Sequence, residues 1–293
     1  MKHTIENKHL SISVKEQGAE LTSIVKRQGN CEILWQGDKA YWEGQSPILF
    51  PTIGSSAAQQ VQFEGKKYPM PKHGLVRNMT FKLTESGNDF MTFTVSDNEE
   101  TRQHYPLPFQ LSVRYQLEEH VIRISFIVKN NGTTPLPYHV GAHPAFNLPM
   151  FDANEDVHGY LGFNVKDKLV GNGLKPGGYL WPEGSFDVPL DADGLLKLDN
   201  RTFDCDTILD TRGYAHACTL YNKEKEKLVT VDFDSPVLAL WAPCGGQAPF
   251  VCIEPWWGCC DEAEFDDEYN KRPWMNQVEA GKSKTISYTI TIH

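Results

Sequence analysis

Two imidazoles and one carboxylate stand in three short stretches far apart in the chain. These are Lys72-His73-Gly74-Leu75-Val76-Arg77, Gly141-Ala142-His143-Pro144-Ala145-Phe146-Asn147 and Cys252-Ile253-Glu254-Pro255-Trp256-Trp257-Gly258. Taken together, the three groups sit among glycines, prolines and aromatic residues, the surroundings in which an acid/base site for a carbohydrate is built. Interconverting the anomers of a sugar requires a proton to leave the C1 hydroxyl while another reaches the ring oxygen. The ring then opens, the aldehyde rotates and the ring recloses. A carboxylate suits the first task and a protonated histidine the second, each contributing roughly 10²–10⁴-fold when its pKa lies near the working pH. Such chemistry calls for no cofactor and no metal. The apolar neighbours and two tryptophans around Glu254 are of the kind that desolvate a carboxyl and raise its pKa.

Strands must position these groups. Val121 to Val128 is rich in β-branched residues, and Ile286, Tyr288, Ile290 and Ile292 alternate with Ser287, Thr289, Thr291 and His293, the period of a half-buried strand. Similar runs at Leu10 to Val14, Leu21 to Val25, Met91 to Val95, Leu111 to Leu117, Leu228 to Phe233 and Val237 to Trp241 are separated by Gly, Asn, Asp and Pro. With no long amphipathic helix between them, they predict an all-β chain, an antiparallel sandwich or barrel. The glycine- and proline-rich segment Val170 to Asp193 reads as a long irregular connection. Strand signals resume after it and candidate site residues lie on both sides, so it is expected to be a surface loop within one domain spanning residues 1–293. The acidic stretch Asp261 to Pro273, directly after the Glu254 motif, reads as a solvated loop, with the border of a cleft mouth as the alternative.

The composition excludes several classes of function. A net charge of −10 argues against nucleic acid as a partner, because phosphate-backbone affinity rests on clustered Lys and Arg. No apolar run approaches the ~20 residues of a membrane span. Met1 to Asn7 runs directly into polar sequence without an apolar signal core, which predicts a cytoplasmic protein. Seven cysteines without a CxxC pair, two of them adjacent at Cys259-Cys260, support neither a disulfide framework nor a structural zinc site and read as reduced packing residues. The expected partner is a small-molecule sugar; the oligomeric state is left open.

The order of these motifs resembles the aldose 1-epimerase (galactose mutarotase-like) family, in its bacterial mutarotase-like branch. The segments Leu34-Trp35-Gln36-Gly37-Asp38, Tyr41-Trp42 and Ser46-Pro47-Ile48-Leu49-Phe50-Pro51 are similar to that branch's N-terminal signature, and the likeness runs collinearly from about Leu10 to the last strand. The resemblance implies a large antiparallel β-sandwich, the β-supersandwich of the mutarotases. It implies that His143 is the general acid at the ring oxygen, Glu254 the general base at the C1 hydroxyl, and His73 a residue that holds the ring. It further implies a substrate-binding aspartate in Phe203-Asp204-Cys205-Asp206, with Asp206 the better-aligned candidate beside Asp204 and Asp210, and an aromatic contact at Trp241. Trp241, Trp256 and Trp257 together are candidates for an apolar sugar platform.

One departure from the family stands out. Members often carry an arginine in the segment occupied here by Gly44 to Gly54, and none is present. Arg77 remains, with a planar fork suited to hydroxyls or one phosphate, so unphosphorylated sugars are the expected substrates and a hexose 6-phosphate the alternative. A weakly active or non-catalytic sugar-binding protein on the same fold also fits the missing arginine. A glycoside hydrolase would need two carboxylates ~5–9.5 Å apart, for which Glu254 and Asp206 are available, but it would leave the His-Pro-Ala-Phe element without a task. His73, His143 and Glu254 are also a conceivable metal set, although ring opening employs all three without one.

Overall fold

Most of the period-2 runs become strands of two large antiparallel sheets in the computed structural model, which describes residues 1–165, 168–245 and 247–293, while Leu10–Lys15 and Leu21–Lys26 pair in a separate four-stranded sheet. The first sheet has nine strands, in the spatial order Leu195–Leu198, Gly159–Phe163, Ala217–Tyr221, Lys227–Phe233, Ser283–Ile292, Val121–Asn130, Phe109–Glu118, Phe90–Ser96 and Lys82–Ser86. At its centre Phe109–Glu118 and Val121–Asn130 pair over their whole length around a turn at Glu119 and His120, and Ser283–Ile292 lies on the far side of Val121–Asn130. The β-branched and alternating runs read from the sequence are thus the middle of this sheet.

The second sheet carries the chemistry. Its path is Tyr179–Asp187, Val170–Lys175, Ile208–Asp210, Val237–Trp241, Phe250–Trp257, Val140–Ala142 and Ile48–Leu49, with Ala145–Asn147 also paired to Phe250–Trp257. Side chains alternate between its two faces. From Phe250–Trp257, Val251, Ile253 and Trp257 enter the main core, where they meet Ile122, Ile124, Phe126 and Tyr288 of the nine-stranded sheet. Phe250, Cys252 and Trp256 point the other way, into two smaller apolar clusters. Leu238 and Leu240 likewise enter the main core while Val237, Ala239 and Trp241 face the opposite side. All eight residues of Phe250–Trp257 are buried, so each face of this strand is covered, one by the sandwich core and one by the site. Among the described residues no helix is long and apolar enough to cross a membrane.

Two loops expected from the sequence are otherwise in the structure. Val170 to Asp193 is mostly a β-hairpin, Val170–Lys175 paired with Tyr179–Asp187 at the edge of the second sheet. Its turn glycines, Gly177 and Gly178, take φ of 94° and 79°, as a tight reversal demands. Gly171 sits where a Cβ would meet Ile208 Cγ2 at 2.9 Å, so glycine here permits close packing rather than breaking the strand. Pro182 is tolerated because its strand is the edge. The stretch Asp261 to Pro273 is anchored, not merely solvated: Asp261 and Arg272, 6% and 5% exposed, form a two-pronged ion pair at 2.7 Å, and Ala57 N–H donates to Asp261 Oδ2 at 2.9 Å.

Candidate active site

On the face of the second sheet turned away from the main core, a cavity of 260 Å³ is lined by His73, Arg77, His143, Asp206, Trp241 and Glu254, together with Trp42, Lys72, Trp256 and Cys260. All six residues singled out from the sequence therefore meet in one place. The volume lies just below the ~300–1,000 Å³ of drug-sized pockets, a fit for one sugar ring rather than a chain of them. A larger groove of 710 Å³ lies elsewhere; its Glu100 is exposed, and its His104 is engaged through Nδ1 with the Pro69 carbonyl at 2.6 Å.

Glu254 reaches this cavity from the middle of Phe250–Trp257, directly across from Ala239, whose small side chain leaves the carboxyl room. It is 1% exposed, and its Oε2 accepts the Trp256 indole N–H at 3.1 Å and lies 3.3 Å from His143 Nε2. His143 comes from the short connection between Val140–Ala142 and Ala145–Asn147, both paired with Glu254's own strand. Trp42 stacks on its ring with centroids 4.9 Å apart, and Trp241 meets it edge-on at 5.6 Å. Burial is the leading influence on both groups. It holds the Glu254 carboxyl well above the usual carboxylate range, against the pull of the Trp256 N–H and the Lys72 charge. It pushes the His143 imidazole down to about 3, with Lys72 and Arg77 acting in the same direction. Two groups each driven toward neutrality leave the pair holding one proton between them, the number an acid/base exchange needs.

His73 is fixed by a reciprocal contact with Gly54. Its backbone N–H donates to the Gly54 carbonyl at 2.9 Å, and its Nδ1 accepts the Gly54 N–H at 3.1 Å. A ring whose Nδ1 accepts carries its hydrogen on Nε2. Burial, followed by the charges of His143, Lys72 and Arg77, keeps the ring neutral, well below the ordinary histidine range. The turn is a demanding one: His73 has φ of 66°, and a Cβ on Gly74 would lie 2.2 Å from the Phe50 carbonyl oxygen.

Among the three aspartates left open by the sequence, Asp206 lines the cavity, bonded by the Thr207 hydroxyl at 3.1 Å. Asp204 pairs with Arg201 away from it, and Asp210 is buried and caps a turn by accepting the Arg212, Tyr214 and Ala215 N–H groups. Trp257 is excluded from any sugar platform: it points into the main core and donates its indole N–H to Asp234 at 3.0 Å. Trp256 and Trp241 stay on the cavity side, as the alternation of their strands requires.

Two lining residues were missed as functional candidates. Lys72 was present in the first motif and carries the second positive charge that the Gly44 to Gly54 segment lacks; the expectation that Arg77 would stand as the lone cation is corrected by its position beside His73. Trp42 was quoted in the N-terminal signature without a role. The signature builds its loop: Asp38 turns the chain by accepting the Tyr41 and Trp42 N–H groups, and the Trp35 indole donates to the Trp42 carbonyl at 2.9 Å. As for a metal, the converging donors among the described residues are His143, Cys252 and Glu254, with atoms within 4.8 Å of one another, and not the set containing His73.

The aldose 1-epimerase family model matches residues 1–291. The chain belongs to the aldose 1-epimerase family. Within it, the plasmid-encoded LacX protein of Lactococcus lactis subsp. lactis is 33% identical over 301 residues, 98% of each chain. Two solved structures share the epimerase fold closely. A galactose mutarotase-like protein from Lactobacillus casei superimposes with a TM-score of 0.93 at 29% identity over 100% of both chains. A galactose mutarotase related enzyme from Lactobacillus acidophilus gives 0.93 at 29% identity, covering 100% of this chain and 97% of its own. The expectation of a large antiparallel, mutarotase-like β-sandwich agrees with these likenesses.

Proposed function

We propose that this chain is an aldose 1-epimerase that interconverts the α and β anomers of an aldohexose by acid/base ring opening. The observation that carries the reading is the buried His143–Glu254 pair, 3.3 Å apart, opening on a cavity sized for a single ring. In the ring-opening step the proton that burial places on Glu254 first passes to His143 Nε2 across the 3.3 Å contact; Glu254 as carboxylate then takes the proton of the C1 hydroxyl, the C1–O5 bond breaks as the C1 carbonyl forms, and His143 as imidazolium delivers its proton to O5. After rotation about C1–C2 the same two transfers run backwards on the other face of the carbonyl, so protons and electrons are conserved over the cycle. The Lys72 charge favours the ionised Glu254 that this step uses. Neutral His73, with hydrogen on Nε2, is suited to donate to a sugar oxygen, and Asp206 to accept from a hydroxyl. Trp42 and Trp241 offer aromatic faces to the C–H side of a pyranose. We read residues 1–293 as one domain whose strands supply the whole site.

A second reading concerns the substituent at C6. Lys72 and Arg77 both line the cavity, and Arg77 Nε is buried without a hydrogen-bond partner among the described residues, which favours an anionic group such as a 6-phosphate. The test of both readings is an NMR exchange or polarimetric survey of anomer equilibration over free hexoses and their 6-phosphates. Acceleration of none of them, with sugar binding retained, would favour a sugar-binding role over catalysis.

A further inference from the structure

Cys252 has no part in ring opening, yet it is fully buried beside the two residues that do. It stands two positions before Glu254 on the same face of Phe250–Trp257, with Trp241 opposite it on one side and Ala145, two residues beyond His143, on the other. Its thiol, a ring nitrogen of His143 and a carboxylate oxygen of Glu254 all lie within 4.8 Å of one another. The three residues are 0%, 8% and 1% exposed. We propose that His143, Cys252 and Glu254 form a site for a thiophilic divalent cation, zinc foremost, and that cation and sugar turnover exclude each other.

The donor set decides the class of ion. One sulfur, one imidazole nitrogen and one carboxylate oxygen suit zinc or another late first-row metal, whereas magnesium and calcium take oxygen shells. The geometry is close to what zinc requires. Nitrogen and oxygen ligands at ~2.0–2.2 Å on a tetrahedral ion are separated by about 3.4 Å, and His143 Nε2 lies 3.3 Å from Glu254 Oε2. A nitrogen–sulfur edge on the same ion is about 3.6 Å, so donors now as far apart as 4.8 Å need to close by about 1 Å. Three protein ligands leave a fourth position, and because His143 and Glu254 line the cavity, that position opens where the sugar would sit. A cation held there occupies the lone pairs that the acid and base need, so it inhibits rather than assists.

The binding part of this proposal is independent of the acid/base reading, and the inhibition part rests on it. Titration of the full chain with Co²⁺ alone reports thiolate ligation through a sulfur-to-metal charge-transfer absorption, and calorimetry with Zn²⁺ alone gives stoichiometry and affinity. One ion per chain is expected, with the absorption abolished in Cys252→Ala. Affinity should fall by at least about 100-fold, because losing a group one shell further out already costs ~10–100-fold. Cys252→Ala should keep the parent's mutarotation rate and raise the inhibitory Zn²⁺ concentration by the same factor; a chelator should restore the parent. No stoichiometric binding by the parent chain, or an absorption that survives in Cys252→Ala and disappears when the exposed Cys31, Cys205 and Cys244 are replaced by serine, overturns the proposal; the first of these needs no variant to fold. Stoichiometric, Cys252-dependent binding that leaves turnover untouched overturns the exclusion and removes His143 and Glu254 from the mechanism with it.

Discussion

His143 Nε2 and Glu254 Oε2 face each other at 3.3 Å although each is carried by a different segment of the second sheet. The contact arises because His143 sits between two short strands that both pair with the strand bearing Glu254. Backbone pairing on both sides of the imidazole therefore holds it over the carboxylate before any substrate arrives.

Glu254→Gln and His143→Asn are each expected to slow mutarotation by about 10²–10⁴-fold while the protein stays folded. The glutamine keeps a carbonyl oxygen for the Trp256 N–H, which now donates to Glu254 Oε2. Rates measured on a sugar that the parent equilibrates, with circular dichroism as the folding check, decide the matter. Either variant turning over at the parent's rate loses its residue from the acid/base pair.

His73→Asn should be milder. His73 is oriented through Nδ1 by the Gly54 N–H, leaving Nε2–H as a donor to the sugar, and the loss of one such hydrogen bond amounts to about 1 kcal/mol, or up to about tenfold. The effect should appear chiefly in KM. A collapse of kcat comparable to that of the Glu254 and His143 variants would instead draw His73 into proton transfer.

The centre of the nine-stranded sheet was legible because Val121–Asn130 and Ser283–Ile292 advertise themselves by β-branching and by alternation. The hairpin Val170–Lys175 and Tyr179–Asp187 was hidden because its glycines serve close packing against Ile208 and a turn at Gly177 and Gly178, whereas composition alone cannot separate a packing glycine from a breaking one. His143 and Glu254 were legible through their motifs. Lys72 was overlooked because a lysine next to a histidine in a turn looks like any solvated charge; that it faces the cavity follows from the left-handed turn at His73 and Gly74. Asp206 was preferred to Asp204 and Asp210 through the resemblance, whereas the local hydrogen bonds that separate the three in the fold are not encoded in composition.

Lys72 and Arg77 give a sharp test of substrate class. The net charge of −10 disfavours anions at long range, while the two cations lining the cavity favour them locally. If they read an anionic substituent, the ratio of kcat/KM for a hexose 6-phosphate to that for the free hexose should fall about tenfold or more in Lys72→Ala and in Arg77→Ala, since hydrogen bonds to charged groups contribute about 1.5–3 kcal/mol. Using the ratio cancels any effect of Lys72 on the ionisation of Glu254. A ratio unchanged in both variants assigns the two cations to sugar hydroxyls and leaves the unphosphorylated hexose as the substrate.

His139 predicts a specific acid lability. It is 1% exposed, its Nε2 faces the Pro273 carbonyl at 3.1 Å, and its ring packs so closely on Gly258 that a Cβ there would lie 2.3 Å from the ring carbon. Tyr269 stands 6.3 Å away, and Arg272, itself paired to Asp261, adds a positive charge nearby. Burial first and Arg272 second push the imidazole down to about 3, whereas in the unfolded chain it titrates near 6.5. Between those two values the unfolded chain binds a proton that the folded one refuses, so stability increases with pH across the window. The contribution is complete above about pH 6.5 and is lost progressively as the pH falls toward 3; by pH 5 the loss from this one group is about 2 kcal/mol. His73 and His143 are shifted in the same direction, whereas the Glu254 carboxyl, held above its usual range by burial, acts with the opposite sign over this window, so the change in the parent alone does not report His139. His139→Asn, whose amide can still donate to the Pro273 carbonyl, isolates the share due to His139. Denaturant unfolding at pH 7 and pH 5 should give a smaller difference in stability for the variant than for the parent, by about 2 kcal/mol; equal differences would mean that His139 is protonated in the fold and that its burial is tolerated by some other route.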